Sequence, residues 1–270
     1  MIIKAIVENL SFDKEIKPKQ GLSLFIETNG LKILFDLGSD DLFIENAKKM
    51  NVDLQDIDIV VISHGHFDHG GALKTFLKIN SKAKIYIHKD SFEDYYQKLL
   101  GLKFYIGLDK ALKDNDRIIF TDSFHKIAPD IILFSGVTGR KFFSPANNKL
   151  LKRCNGKYIP DNFSHEQNLV IVENGKTVLV SGCCHNGIIN TLEKAKALSY
   201  EPDVIVSGLH FLNMNIKRYG KLVDDISREL NDSKAVLYTC HCTGYEAYER
   251  MKSIMGEKIE YLSCGKSIEI

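Results

Sequence analysis

The sequence predicts an α/β protein in which two β-sheets lie face to face with helices on their outer sides, each half of the chain supplying one copy of a β-rich repeat. Three observations carry this. Leu22–Thr28 and Lys32–Asp36 are β-prone runs joined through Asn29-Gly30, a dipeptide that accepts the positive φ angles of a two-residue hairpin. The pattern recurs 145 residues later, where Asn168–Glu173 and Thr177–Ser181 are joined through Asn174-Gly175, with Leu24 falling on Leu169, Ile26 on Ile171 and Leu34 on Leu179. The same offset carries Asp58-Ile-Val-Val onto Asp203-Val-Ile-Val, two apolar runs that lead to His64 and His210.

The remaining elements follow in order. Met1–Asn9 reads as an edge strand. Asp41–Met50 and Gly71–Ile79 are amphipathic, and Ser91–Leu100, Ile188–Leu198, Lys221–Leu230 and Gly244–Ile254 follow the helical period. Gly136–Pro160 has no clear period and reads as a long surface loop; it carries Arg140, Lys141, Lys149, Lys152, Arg153 and Lys157 and no acidic residue. With 44% hydrophobic residues the chain can bury a sizeable core, and residues 1–270 are read as one domain. Lys and Arg number 36 against 35 Asp and Glu, a formal charge of +1, which gives no reason to expect nucleic acid or a membrane surface as partner. No signal peptide and no membrane-spanning run is evident, so a cytoplasmic location is expected, with the six cysteines as reduced thiols. The expected partner is a small-molecule substrate, and a homo-oligomer is left open.

The chemistry concentrates in Ile57–Gly71, where a buried strand ends, a glycine-rich turn follows, and His64, His66, Asp68 and His69 fall within six residues. In extended chain His64 and His66 project to one side and can reach one cation, while Asp68 and His69, at the following helix start, can hold a second. Zinc-type ions take imidazole nitrogen and carboxylate oxygen at about 2.0–2.2 Å, so these side chains suffice for two half-sites. Glycines at 65, 70 and 71 let the backbone crowd them. His88 and His125 read as structural histidines.

The His-x-His-x-Asp-His motif after a strand resembles the signature of the metallo-β-lactamase superfamily. The resemblance extends through Gly21-Leu22-Ser23, Phe35-Asp36-Leu37-Gly38, Ser181-Gly182-Cys183-Cys184-His185-Asn186-Gly187-Ile188, Gly208-Leu209-His210 and His241-Cys242-Thr243-Gly244. This series is similar to the branch that includes the dihydropterin ribofuranosylaminobenzene phosphate synthase of methanopterin biosynthesis. The resemblance implies an αββα sandwich with internal duplication and a two-metal site at the sheet edge. His185 and His241 are then the expected ligands from other strand ends. Cys183 stands where the superfamily places a bridging aspartate, and is either a thiolate ligand or a small buried thiol. His165 or Glu166 is a ligand or a neighbour of the site, and His210 binds metal or a substrate oxyanion. Asp36 is expected to orient a ligand histidine from behind.

Two divalent ions are expected as cofactors, zinc first, with iron and manganese also compatible with the ligands. The leading function is hydrolysis of a small anionic or phosphate-bearing substrate by a metal-bound hydroxide, with Asp68 as metal ligand and catalytic residue. The alternatives are group transfer as in the pterin synthase, and a metal- or ligand-sensing module without turnover. Flavodiiron proteins, secreted β-lactamases and glyoxalase-II-like thioesterases fit less well: the first carry Glu at the position of His66 and a second domain, the second are exported, and the third have aspartate in place of Cys183. The basic loop is either a solvated surface loop or a lid over the metal site, in which Arg140 and Arg153 are expected to grip the substrate anion, with Phe142 and Phe143 as apolar contacts.

Overall fold

Both Asn-Gly hairpins form, with φ of 49° and 73° at Asn29 and Gly30 and 51° and 75° at Asn174 and Gly175. The structure is a computed structural model and describes residues 1–212 and 214–270. The first half runs through β1 (Ile2–Val7), β2 (Ser23–Thr28), β3 (Leu31–Phe35), α1 (Leu42–Lys49), β4 (Ile59–Ile62), α2 (Phe67–Gly70), α3 (Leu73–Ile79) and β5 (Lys84–His88). The middle supplies β6 (Asp94–Leu99), β7 (Leu102–Tyr105), β8 (Ile118–Thr121), β9 (Phe124–Ala128), β10 (Ile131–Phe134), β11 (Leu150–Cys154) and β12 (Lys157–Pro160). The rest comprises β13 (Asn168–Glu173), β14 (Lys176–Ser181), α4 (Ile188–Ala197), β15 (Val204–Ser207), α5 (Ile216–Asp232), β16 (Val236–Thr239), α6 (Tyr245–Met255), β17 (Ile259–Tyr261) and β18 (Ser267–Glu269).

Two seven-stranded sheets result, in the orders β18-β1-β2-β3-β4-β5-β8 and β17-β16-β15-β14-β13-β10-β9, with a four-stranded sheet β12-β11-β6-β7 beside them. The 145-residue offset survives as pairing register. Ile33 pairs with Ile59 across the parallel β3–β4 ladder, and Val178 pairs with Val204 across β14–β15. Even the polar end of the turn repeats, because the Asp58 carboxylate accepts the Lys32 N–H at 3.0 Å and the Asp203 carboxylate accepts the Thr177 N–H at 2.9 Å. The two hairpin tips meet, with Thr28 Oγ1 donating to Glu173 Oε1 at 3.1 Å.

Side-chain alternation along the strands sorts residues into layers. Leu24, Ile26 and Phe35 from one sheet and Leu169, Ile171 and Val180 from the other belong to one buried cluster between the sheets. Leu34 points the other way, to a cluster with Phe43 of α1 and Phe76 of α3, and its counterpart Leu179 lies with Ile188 of α4 and Val223 of α5. The αββα sandwich expected from the sequence is therefore the fold, with its repeat intact.

Three local expectations are corrected. β1 is not an edge strand, because β18 pairs along it, Ile2 opposite Glu269. Ser91–Leu100 is not a helix: β6 turns at Leu100-Gly101, where both φ angles are positive (50° and 82°), and returns as β7. Gly136–Pro160 is not an unstructured loop, since residues 150–160 form the β11–β12 hairpin around Asn155-Gly156. That dipeptide is the same hairpin signal that locates the two core hairpins.

Candidate metal centre

Strands β14, β15 and β16 end level with one another, so that Ser181, Ser207 and Thr239 sit side by side across the ladders. The chain leaving these ends carries Cys183 and His185, His210, and His241 and Cys242. From the facing sheet β4 ends just before His64, and α2 begins at Phe67. Only glycine fits at position 65 in the turn between them and at position 71 just after α2. A Cβ at Gly65 would stand 2.4 Å from the Ser91 carbonyl oxygen, and one at Gly71 would stand 2.4 Å from that of Ser39.

The side chains gather as two adjoining groups. In the first, His64 Nε2 lies 3.0 Å from His66 Nδ1 and 3.3 Å from His185 Nε2. In the second, His69 Nε2 lies 3.2 Å from Cys183 Sγ, and the Asp68 carboxylate lies 3.9 Å from His69 Nε2 and 3.7 Å from His241 Nε2. Cys183 belongs to both: its sulfur is within 4.8 Å of ligand atoms of His64 and His185, and equally of His69 and His241.

Proton placement shows whether this arrangement suits metal ions. Ser63 Oγ donates to Asp36 Oδ2 at 2.7 Å and so accepts from His64 Nδ1 at 2.8 Å, which leaves His64 Nε2 bare. Asn147 Nδ2 donates to the His185 carbonyl at 2.8 Å; its Oδ1 then accepts from His185 Nδ1 at 2.9 Å, leaving His185 Nε2 bare. Burial, reinforced by the neighbouring rings, pushes the pKa of His64 and of His185 well down, so both are neutral. Two lone pairs thus face each other with no proton between them. On a tetrahedral ion with bonds of about 2.0–2.1 Å, two nitrogens stand roughly 3.3 Å apart, so a cation converts this repulsion into coordination. His69 donates from Nδ1 to Asp36 Oδ2 at 2.6 Å. Burial works against its charged form, but Asp36 and Asp68 outweigh it and push the ring up to about 9. Among the described residues, the buried Nε2 atoms of His66 and His241 and Nδ1 of His210 have no hydrogen-bond partner. The donor set fits two ions, and Asp36 orients His69 from behind, as the sequence suggests.

Residues 16–146 match the family model of the metallo-β-lactamase superfamily. The chain has the metallo-β-lactamase fold. Among solved structures it resembles a metal-dependent hydrolase of the β-lactamase superfamily, with a TM-score of 0.81 and 26% identity over 100% of this chain and 99% of the other. The fold is also shared with Zn(2+)-bound PqqB from Methylobacterium extorquens, at a TM-score of 0.60 and 12% identity over the full length of both chains. Two relatives come from Methanocaldococcus jannaschii. One is an uncharacterized protein, 29% identical over 100% of both chains. The other is the 7,8-dihydropterin-6-methyl-4-(β-D-ribofuranosyl)-aminobenzene-5′-phosphate synthase, 28% identical over 93% of this chain and 90% of that one.

Within this fold the structure sorts the less certain candidates. His165 and Glu166 both hold the loops by hydrogen bonds, and His165 also forms a group with His66 and Asp161 whose ligand atoms lie within 4.8 Å of one another. His165 Nδ1 accepts the Gly65 N–H at 2.8 Å, so Nε2 carries the proton and donates to Asp161 Oδ2 at 3.1 Å. The two oxygens of Glu166 accept the N–H groups of His185 and Asn186, at 2.6 and 3.0 Å. His210 lies beside His185, ring centroids 4.2 Å apart, and forms a further group with Cys183 and Cys242. His88 Nδ1 accepts the Asp90 N–H at 3.2 Å, consistent with a structural histidine. Two residues were not anticipated from sequence. Asp161 lies 3.9 Å from His66 Nε2, one residue beyond the segment read as a loop. Cys242 accepts the His210 N–H at 3.2 Å, and only its adjacency to His241 points to it.

A cavity of about 390 Å³ opens onto the centre, lined by Asp68, Cys183, His185, His210 and His241. The basic segment reaches it, but not through the arginines. Arg140 turns aside to donate to Asn186 Oδ1 at 3.1 Å and lies over the Phe143 ring, and Arg153 lies over Tyr158. Lys149 is the one lysine or arginine among the described residues that lines the cavity, beside Ala146 and Leu150. The expected substrate grip by Arg140 and Arg153 is therefore corrected, because the β11–β12 hairpin that sequence reading missed orients Arg153 along its own sheet.

Proposed function

We propose that this protein is a metal-dependent hydrolase of a small anionic substrate, with His64, His66 and His185 holding one divalent ion and Asp68, His69 and His241 a second. Zinc suits the nitrogen, oxygen and thiolate donors, and iron or manganese is compatible with most of them. The observation that carries the reading is the convergence of bare imidazole nitrogens on the floor of an open cavity. Divalent ions there would supply Lewis acidity and bring a water near neutral pKa, the source of the attacking hydroxide. The chain's own contribution is to keep His64 and His185 neutral and aimed, to place the Asp68 carboxylate between His69 and His241, and to offer Lys149 to the anionic end of the substrate. Leu99, Ile106, Leu150 and Leu212 give the cavity an apolar wall for the substrate body.

Group transfer is the second reading. It is supported by the similarity, over 93% of this chain, to the dihydropterin synthase, whose product carries a phosphate that Lys149 would suit equally well. One experiment separates the two. The metal-loaded protein is offered phosphodiesters, thioesters, lactones and pterin diphosphates in ¹⁸O-labelled water, and the products are weighed. Hydrolysis places ¹⁸O in the product of one of the first three classes. Turnover only when an aromatic amine accompanies a pterin diphosphate, with no label incorporated, selects transfer.

A further inference from the structure

The second group of ligands is built partly from the opposite end of the chain. After β1 the chain passes through Glu8 and Asn9 before the loop that returns as β2. Asn9 Oδ1 accepts the Gly21 N–H at 3.3 Å, which identifies that atom as the amide oxygen, and it lies 2.8 Å from His241 Nδ1. An oxygen there can only accept, so the imidazole proton sits on Nδ1 and Nε2 is left bare. That Nε2 is buried, has no hydrogen-bond partner among the described residues, and lies 3.7 Å from Asp68 Oδ2. Glu8 fixes the backbone of the same histidine: its Oε1 accepts the His241 N–H at 2.6 Å and the Tyr261 hydroxyl at 2.7 Å, and its Oε2 accepts the Leu10 N–H at 2.7 Å.

The far end of this loop holds another ligand of the group. Leu22 donates its N–H to the Asp68 carbonyl at 3.1 Å, and a Cβ at Gly21 would stand 2.7 Å from that same oxygen. Gly21 also has φ +138°, a conformation that side-chain-bearing residues rarely adopt. One loop, residues 8–22, thus seats both Asp68 and His241.

We infer that Asn9 is the positioning residue of the second metal half-site, setting the His241 tautomer that exposes Nε2 to the ion. This rests on the two-ion reading above, but its first consequence is visible without metal. The logic matches that of Asp36, Ser63 and Asn147 on the other histidines: each partner occupies the far nitrogen so that the near one coordinates.

The test uses Asn9→Leu, which removes the acceptor, and Asn9→Asp, which keeps one. In metal-free wild-type protein, long-range ¹H–¹⁵N correlation spectra should show His241 protonated at Nδ1 with Nε2 bare. Asn9→Leu should lose that tautomer, and Asn9→Asp should keep it. In calorimetric Zn²⁺ titrations, Asn9→Leu should weaken the second ion by about 10–100-fold, the range for partners behind a metal ligand, and leave the first unchanged. Asn9→Asp should restore the second affinity. An Nε2-protonated His241 in the wild type overturns the inference, as does an unchanged second affinity in Asn9→Leu. Equal weakening of both ions means general loosening of the fold and overturns it too. A wild-type protein that binds no ion sinks the two-ion reading instead, and the metal-free tautomer still judges Asn9 by itself.

Discussion

Replacing Asp68 with Asn should lower turnover by on the order of 10²-fold or more while the protein stays folded, since loss of one aimed electrostatic group in a preorganised site commonly costs this much. The side chain lies between His69 and His241, 3.9 and 3.7 Å away. Burial opposes its charge, but His69, His241 and His66 outweigh that and hold its pKa below the usual value, so it is ionised throughout the neutral range. Asn keeps the shape and loses the charge. The Leu22 hydrogen bond goes to the Asp68 backbone carbonyl and survives the change, so folding should not be the cause of the loss. Turnover of whichever substrate the labelled-water screen identifies, measured beside thermal unfolding, checks this. Near-normal turnover in a folded Asp68→Asn protein would remove Asp68 from the chemistry.

The second large effect concerns how the ligands divide. His185→Ala should weaken one ion and His241→Ala the other, each at least as strongly as the 10–100-fold typical of outer partners, whereas Cys183→Ala should weaken both. Cys183 has this reach because its sulfur is close to His64 and His185 on one side and to His69 and His241 on the other. Burial, with Cys242 alongside, pushes the Cys183 thiol well above its ordinary pKa, so an ion must displace a proton to bind there. Apparent affinity should therefore rise with pH, with proton release on binding, and Cys183→Ala should flatten that dependence. His88→Ala should change neither ion. Titration calorimetry in buffers of different ionisation enthalpy reads all four variants. Equal loss of both ions in His185→Ala, or no loss in Cys183→Ala, would break the assignment of the two groups.

The parts of this molecule that were legible in the sequence are those fixed by local chemistry. Asn29-Gly30 and Asn174-Gly175 forced hairpins at equal spacing, and the duplication followed from them down to the carboxylates of Asp58 and Asp203. His64, His66, Asp68 and His69 were visible because the turn crowds them into six residues. What stayed hidden depends on contacts far apart in the chain. Asn9 meets His241 across 232 residues, and no pattern around either announces the other. Asp161 acquires its place only because β11 and β12 pair and bring the chain back beneath His66. The Ser91–Leu100 segment misled because its apolar residues fit a helical period, while the Leu100-Gly101 turn and pairing with β11 decide for strand. Arg140 and Arg153 carried the right charge in the right segment, yet aromatic and amide neighbours claim them and Lys149 faces the cavity.

The central claim is that two ions sit in the paired groups joined by Cys183. It is tested most directly by elemental analysis of protein purified without added metal and reconstituted with Zn²⁺, combined with anomalous diffraction at the zinc edge from its crystals. Two equivalents per chain are expected, with one peak among His64, His66 and His185 and the other among Asp68, His69 and His241. A fully active protein holding a single equivalent, or peaks away from these side chains, would contradict it.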